Sequence, residues 1–321
     1  MLGIDLSITG RARPHISHEL SATINGDFMA TGVLDALFYA ALSAQITSNS
    51  TLSGTLVAEP TYLGGDETAA IIAAMTVKPN AARTTAIDNL VYALKNGGVW
   101  AKLDVLYVLA AHHEQAGRIN WKNPGTFDLT AGNSPSFTTD TGFTGSTSAP
   151  YPYLDTGFIL ADDAVHFGLT NGCAIVKAAN VVDASSRIAF AMYETAQWAV
   201  YLSNVSAGTQ VARMYWAADG NPSFAGTAAD PFITNLITFN ITGSSARYVY
   251  NGTTEVTFDD SAQTISALQG TYPIYLLARN TQGTPTLGSN DTISLAAWGA
   301  ALSSTNRTAL NNAVNAYFSA L

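Results

Sequence analysis

Apolar and small polar residues alternate at Leu20, Ala22 and Ile24, and again at Leu42, Ala44 and Ile46. A period of two predicts strands. Both stretches belong to a weak repeat, Leu20–Leu34 against Leu42–Leu56, with an offset of 22 residues. Asn25-Gly26 gives the first copy a turn signal, and the stretch from Gly32 to Leu42 fits either a short helix or an apolar strand. Two repeat copies cannot bury a core by themselves. Residues 1–75 are therefore expected to form a β-rich attachment and oligomerisation segment. The period then changes. Ile87, Leu90, Val91 and Leu94 recur at helical spacing, which predicts an amphipathic helix. Lys78-Pro79-Asn80 reads as its start, and Asn96-Gly97-Gly98 as its end. From Val99 to about Glu114 the chain is apolar nearly all round, which predicts a second, buried helix, with Gly117 as a stop. Together these would make a helical hairpin over 76–120.

From about 120 onward, runs rich in Val, Ile, Thr, Tyr and Phe alternate with Gly, Asn and Asp turns. Ala174–Ala178, Arg187–Tyr193, Trp198–Leu202, Val211–Trp216, Leu236–Thr242 and Arg247–Gly252 all read as strands. Asn251-Gly252 is the strongest hairpin signal in the chain. So many short strands suit a two-sheet sandwich. A final helix follows Ser303, a natural N-cap, with Leu310, Val314, Tyr317 and Phe318 on one face.

Composition narrows the functional classes. Of the 321 residues 47% are hydrophobic and only 12% are charged. The charged share is half the globular norm, yet the chain is too apolar to be disordered. Lys plus Arg number 14 against 23 Asp plus Glu, a formal net charge of −9. So few cations cannot neutralise many phosphates, which argues against nucleic acid as a partner. Met1 to Gly10 has neither a basic nor an apolar leader region, so no signal peptide is expected. No run reads as a membrane span, and no membrane insertion is expected. Cys173 is the single cysteine, which excludes an intramolecular disulfide and Cys-rich zinc sites. It reads as a small buried hydrophobe.

These strands carry a resemblance. The hairpin Arg247-Tyr-Val-Tyr-Asn-Gly252 resembles the central hairpin of laminin-G and concanavalin-A-like jelly rolls. Pro273–Ala278, then Ile293–Leu302 and the last helix, resemble the closing strands and helix of those domains. Residues 121–158 are similar to a segment that recurs in phage and prophage structural proteins, where a helical hairpin precedes a concanavalin-A-like domain. The Leu-Ser-Ala repeats also resemble the short β spacers of such proteins. The fold class this implies is mainly β. A concanavalin-A-like jelly roll at 121–321 would be preceded by the hairpin at 76–120 and the small segment at 1–75. The resemblance also implies a protein of a virion surface, such as a fibre, head spike or tail component.

Glycoside hydrolysis needs two carboxylates across the scissile bond. The Glu-x-Asp-x-x-Glu strand pattern of jelly-roll glycosidases is absent, and Asp259-Asp260 are adjacent, so no enzyme activity is expected. His112-His113-Glu114 reads as a polar helix end. Asp162-Asp163 with His166, and Asp259-Asp260, are the nearest approach to calcium-like clusters, but no metal or other cofactor is assigned. There is no phosphate-cradling loop. Sugar binding needs aromatic faces with polar groups beside them. The candidates are Tyr151, Tyr153, Trp198, Tyr215, Trp216, Asp219 and Asn221. Adjacent Tyr215 and Trp216 should face opposite ways on a strand, and Trp198 also fits a core position. The expected partners are other virion proteins through the N-terminal segment, further copies of the chain, as in a trimeric fibre, and a host surface glycan. The alternatives are a purely structural decoration protein, a cellular lectin or adhesin, and a glycan-degrading enzyme.

Overall fold

The computed structural model describes residues 20–23, 42–45, 61–181, 187–194, 197–206, 209–217, 223–227, 235–259, 268 and 270–321. At 20–23, 42–45, 187, 197, 201–206, 209–213, 215–217, 223–227 and 257–259 it describes the backbone alone. The chain divides into two compact units, Met1–Thr61 and Tyr62–Leu321. The boundary falls at residue 61 rather than at 75.

In the first unit, β1 (Leu20–Thr23) and β2 (Leu42–Gln45) pair in parallel. The partners are Leu20 with Leu42, Ser21 with Ser43, Ala22 with Ala44 and Thr23 with Gln45. The register of the pairing is thus the offset of the sequence repeat. The turn at Asn25-Gly26 and the stretch from Gly32 to Ala41 lie outside the described residues.

The second unit opens with α1 (Asp66–Ala74) and α2 (Ala81–Asn96). Asn80 caps α2 by accepting from the Arg83 N–H at 2.8 Å, so Pro79 stands just outside the helix. Strands β3 (Leu103–Val108), β4 (Thr130–Gly132), β5 (Ser136–Thr138), β6 (Gly142–Thr144) and β7 (Tyr153–Asp155) follow. After the single turn α3 (Leu160–Asp163) come β8 (Gly172–Asn180), β9 (Arg187–Tyr193), β10 (Gln197–Ser206), β11 (Thr209–Ala217) and β12 (Ser223–Thr227). The remaining strands are β13 (Leu236–Gly243), β14 (Ala246–Asn251), β15 (Thr254–Asp259), β16 (Tyr275–Leu276), β17 (Arg279–Thr281), β18 (Thr284–Thr286) and β19 (Thr292–Gly299). The chain closes with α4 (Ser304–Ser319), held by a capping box between Ser303 and Asn306.

Among the described residues these strands form two sheets. The front sheet runs β12-β11-β10-β9-β16-β7-β4, with β17 also beside β9 and carrying β18. The back sheet runs β15-β14-β13-β8-β19-β6-β5, with β3 also paired to β19. A core of apolar side chains lies between the sheets, including Phe190, Met192, Trp198, Phe239, Leu276 and Trp298. A second core lies behind the back sheet, where Leu90, Leu94, Leu310 and Val314 of α2 and α4 meet Ile175, Leu295 and Ala297. The architecture is a mainly β two-sheet sandwich, as the sequence pattern predicts, and its helices lie on one side.

One expectation is corrected. The segment from Val99 to Glu114 is not a helix, so there is no helical hairpin over 76–120. A short 3-10 turn at Trp100–Lys102 leads into β3, which pairs antiparallel with β19. The apolar character on all sides has a different cause. Val105 and Tyr107 enter the core between the sheets, while Leu106 and Val108 enter the core under the helices. A strand buried on both faces is as continuously apolar as a buried helix, and periodicity alone does not separate them. The sandwich therefore incorporates β3 and does not begin at 121.

Candidate functional site

The helices α1, α2 and α4 are gathered behind the back sheet. Among the described residues, the outer side of the front sheet is furnished by its own strands and loops. Alternation decides which residues reach it. Leu154, Phe190, Met192 and Leu276 point into the core between the sheets. Their neighbours Tyr153, Asp155, Ala191, Tyr193 and Tyr275 therefore belong to the outer side. Register aligns them, with Tyr275 opposite both Asp155 and Ala191.

The first part of this face is aromatic. Tyr153 and Tyr275 stack with centroids 4.2 Å apart and planes 19° from parallel. Tyr153 also lies across Gly132, where a Cβ would overlap its ring. Tyr275 is buried beneath, and burial raises its hydroxyl well above the ordinary tyrosine range, with Asp155 and Tyr153 adding to the shift. Asp155 accepts from the Gly157 N–H at 2.8 Å, yet burial outweighs that bond and raises its pKa.

The second part is polar and is built by a hairpin. Leu277, with φ 69°, turns the chain out of β16 and into β17. Strands β17 and β18 join through Gln282 and Gly283, with φ 51° and 84°. Two consecutive positive φ values make the tight turn that suits a twisted hairpin. Asn280 locks the turn by accepting from the Gly283 N–H at 2.7 Å and donating to the Pro273 carbonyl at 2.8 Å. This register sets Arg279 opposite Thr286, while Thr281 is opposite both Thr284 and Tyr193. The Arg279 Nε–H is shared between the Thr281 and Thr286 hydroxyls at 3.1 and 3.3 Å. Those two hydroxyls bond each other at 2.6 Å. The guanidinium carbon stands 4.8 Å over the Tyr193 ring. Glu194 is engaged nearby, taking the Thr271 N–H and hydroxyl at 3.1 and 3.0 Å.

The structure distributes the predicted sugar-binding residues widely. Tyr153 belongs to the outer face. Tyr151 is half-buried beside Gly288, where a Cβ would come within 2.8 Å of its ring, and its carbonyl accepts from Asn133. Trp198 is corrected. It is 2% exposed and packs on Phe167, Phe190 and Trp298, so no ligand can stack on it. Tyr215 pairs opposite Ala199, and Trp216 opposite Trp198, in backbone register. Asp219 and Asn221 lie outside the described residues. Sequence reasoning placed Tyr193 and Tyr275 in strands without giving them a role, and it missed Arg279, Thr281 and Thr286. The available signal was the alternation Arg279-Asn-Thr281 and Thr284-Pro-Thr286 around Gln282-Gly283.

No family model matches the chain, and no curated protein matches it. Solved structures do. The carbohydrate-binding module CBM40 of the Ruminococcus gnavus IT-sialidase, bound to α2,3-sialyllactose, is 12% identical with a TM-score of 0.36, over 52% of this chain and 96% of that one. Domain 4 of a GH43 extracellular arabinanase from Geobacillus stearothermophilus, in complex with arabinotriose, is 12% identical with a TM-score of 0.37, over 65% of this chain and 98% of that one. The NanB sialidase of Streptococcus pneumoniae is 15% identical with a TM-score of 0.38, over 56% of this chain and 27% of that one. All three scores are low, and none of these similarities bears on what this chain binds.

The other predicted clusters serve the fold. Asp163 accepts from the Ile159 N–H at 2.7 Å. The backbone of Val165, His166 and Phe167 is gathered by Asp104, which accepts all three N–H groups at 2.8–3.0 Å. His112 bonds the Val77 carbonyl at 2.9 Å. Among the described residues no three His, Cys, Asp or Glu side chains are grouped to hold a metal. The Asp259 side chain and all of Asp260 lie outside the described residues. Cys173 is buried, and burial pushes its thiol up to about 12, which keeps it protonated and inert.

Proposed function

We propose that the chain is a non-enzymatic, glycan-binding protein of a phage-type particle surface, presenting the outer side of its front sheet to host polysaccharide. The observation that carries this is the arrangement of that side, where the Tyr153–Tyr275 stack and the Tyr193–Arg279–threonine group stand on one sheet. Aromatic rings beside a few fixed polar groups are what a sugar ring requires, apolar C–H surface against the rings and hydroxyls against the donors and acceptors. The separate first unit, with its strand pair built from a repeat, suits attachment or assembly.

The test is direct. Purified full-length protein is titrated with host-type surface polysaccharides, and bound sugar and released reducing ends are both measured. Saturable binding without release is expected, with binding weakened on the order of tenfold in Tyr193→Ala. Release of reducing ends overturns the non-enzymatic part. Absence of binding to every polysaccharide overturns the glycan reading and favours a structural decoration protein.

A further inference from the structure

Arg279 is held as a receptor is held. Its Nε–H is taken by two threonine hydroxyls, and its plane is supported by Tyr193. These contacts fix the guanidinium while leaving the donors of both Nη atoms without a protein acceptor, among the described residues. No described carboxylate pairs with it. Two other arginines are spent on carboxylates, Arg83 on Asp140 and Arg118 on Glu114. Glu194, close in sequence to Tyr193, is engaged by Thr271 at both oxygens.

We infer that Arg279 binds the carboxylate of an acidic sugar through its two Nη groups. This rests on the glycan-binding reading and names the class of sugar that the face selects. A planar fork with parallel N–H donors matches a carboxylate bidentately, and charge-assisted bonds of this kind are about twice as strong as neutral ones. The threonine clamp and the tyrosine beneath remove rotamer freedom before the ligand arrives, which lowers the entropic cost of binding. The chain as a whole carries a formal charge of −9, so its general field repels an anion. Selection of an acidic sugar must therefore come from a local group, and Arg279 supplies it.

The experiment uses the full chain and two acidic probes, sialyllactose and an oligogalacturonate, each beside its methyl ester. The ester keeps the sugar and removes the charge. The expected result is that at least one free acid binds on the order of tenfold more tightly than its ester. Arg279→Gln is expected to abolish that preference and bring acid and ester level. Arg279→Lys keeps the charge without the fork, and should recover only part of the preference. An unchanged thermal transition in both variants confirms that the fold is intact. Whichever probe shows the preference identifies the source of the carboxylate. Equal binding of acids and esters by the unaltered protein overturns the assignment and leaves the glycan reading standing, as does a preference that survives in Arg279→Gln. Failure to bind either acid or either ester, together with no binding in the polysaccharide titration, overturns both.

Discussion

Trp198 and Trp298 meet edge-to-face between the sheets, with centroids 5.7 Å apart, and Phe190 lies within 5.6 Å of both. Large aromatic rings dominate the apolar area that such a core removes from water. That role explains why Trp198, though aromatic and centrally placed in a strand, is not available to a ligand. Asp155 shows the opposite tension, a charge held at a partly buried place. Its pKa is raised from 3.8, so the ionised side chain costs the folded state stability at neutral pH, and the cost disappears once the carboxyl is protonated in both states. Asp155→Asn removes the charge and keeps an oxygen for the Gly157 N–H. Its melting temperature should equal or exceed that of the unaltered protein at pH 7, with the difference closing as the pH falls below 3.8. A lower melting temperature at pH 7 would contradict this account of Asp155.

At the scale of elements, local signals were the readable ones. The cap at Ser303 and the turn at Asn251-Gly252, where Gly252 has φ 61°, were visible because their chemistry is contained in four or so consecutive residues. Ser303→Ala should cost about 1 kcal/mol in chemical denaturation, since it orphans the Asn306 N–H and breaks the capping box. Strand β3 was misread for a tertiary reason. Whether Leu103–Val108 is a strand or a helix depends on β19, nearly two hundred residues later, which offers its free edge there. The Arg279 hairpin left a local signal, but its pairing with Tyr193 was illegible for the same reason. Tyr193, Arg279 and Thr286 become neighbours only through strand register, and one sequence without its pairings does not show which residues will share a row. Tyr153 was legible as a site residue, but the ring that stacks on it, Tyr275, lies over a hundred residues away.

For the whole molecule, the back sheet is a wall shared by two cores. Every residue of β19 is buried because side chains pack on both of its faces. That gives residues 62–321 a complete interior, and this unit should fold without the first. A chain beginning at Tyr62 is expected to unfold in a single cooperative transition, within a few degrees of the full-length protein, when followed by circular dichroism. Loss of cooperativity would show that the first unit contributes to the interior. Any assembly that depends on residues 1–61 should be lost in the same protein, as read by its mass in solution.

The strand pair in that first unit has a consequence of its own. Like stands opposite like, Leu20 by Leu42 and Ala22 by Ala44, because the chain comes back beside itself after one repeat. Neighbouring strands are about 4.8 Å apart. A tandem duplication of this 22-residue stretch would add one more strand to the ladder in the same backbone register. The repeat therefore works as a ruler. The ladder of the first unit can gain or lose one strand at a time, in equal increments of about 4.8 Å, by copying or deleting one repeat of sequence.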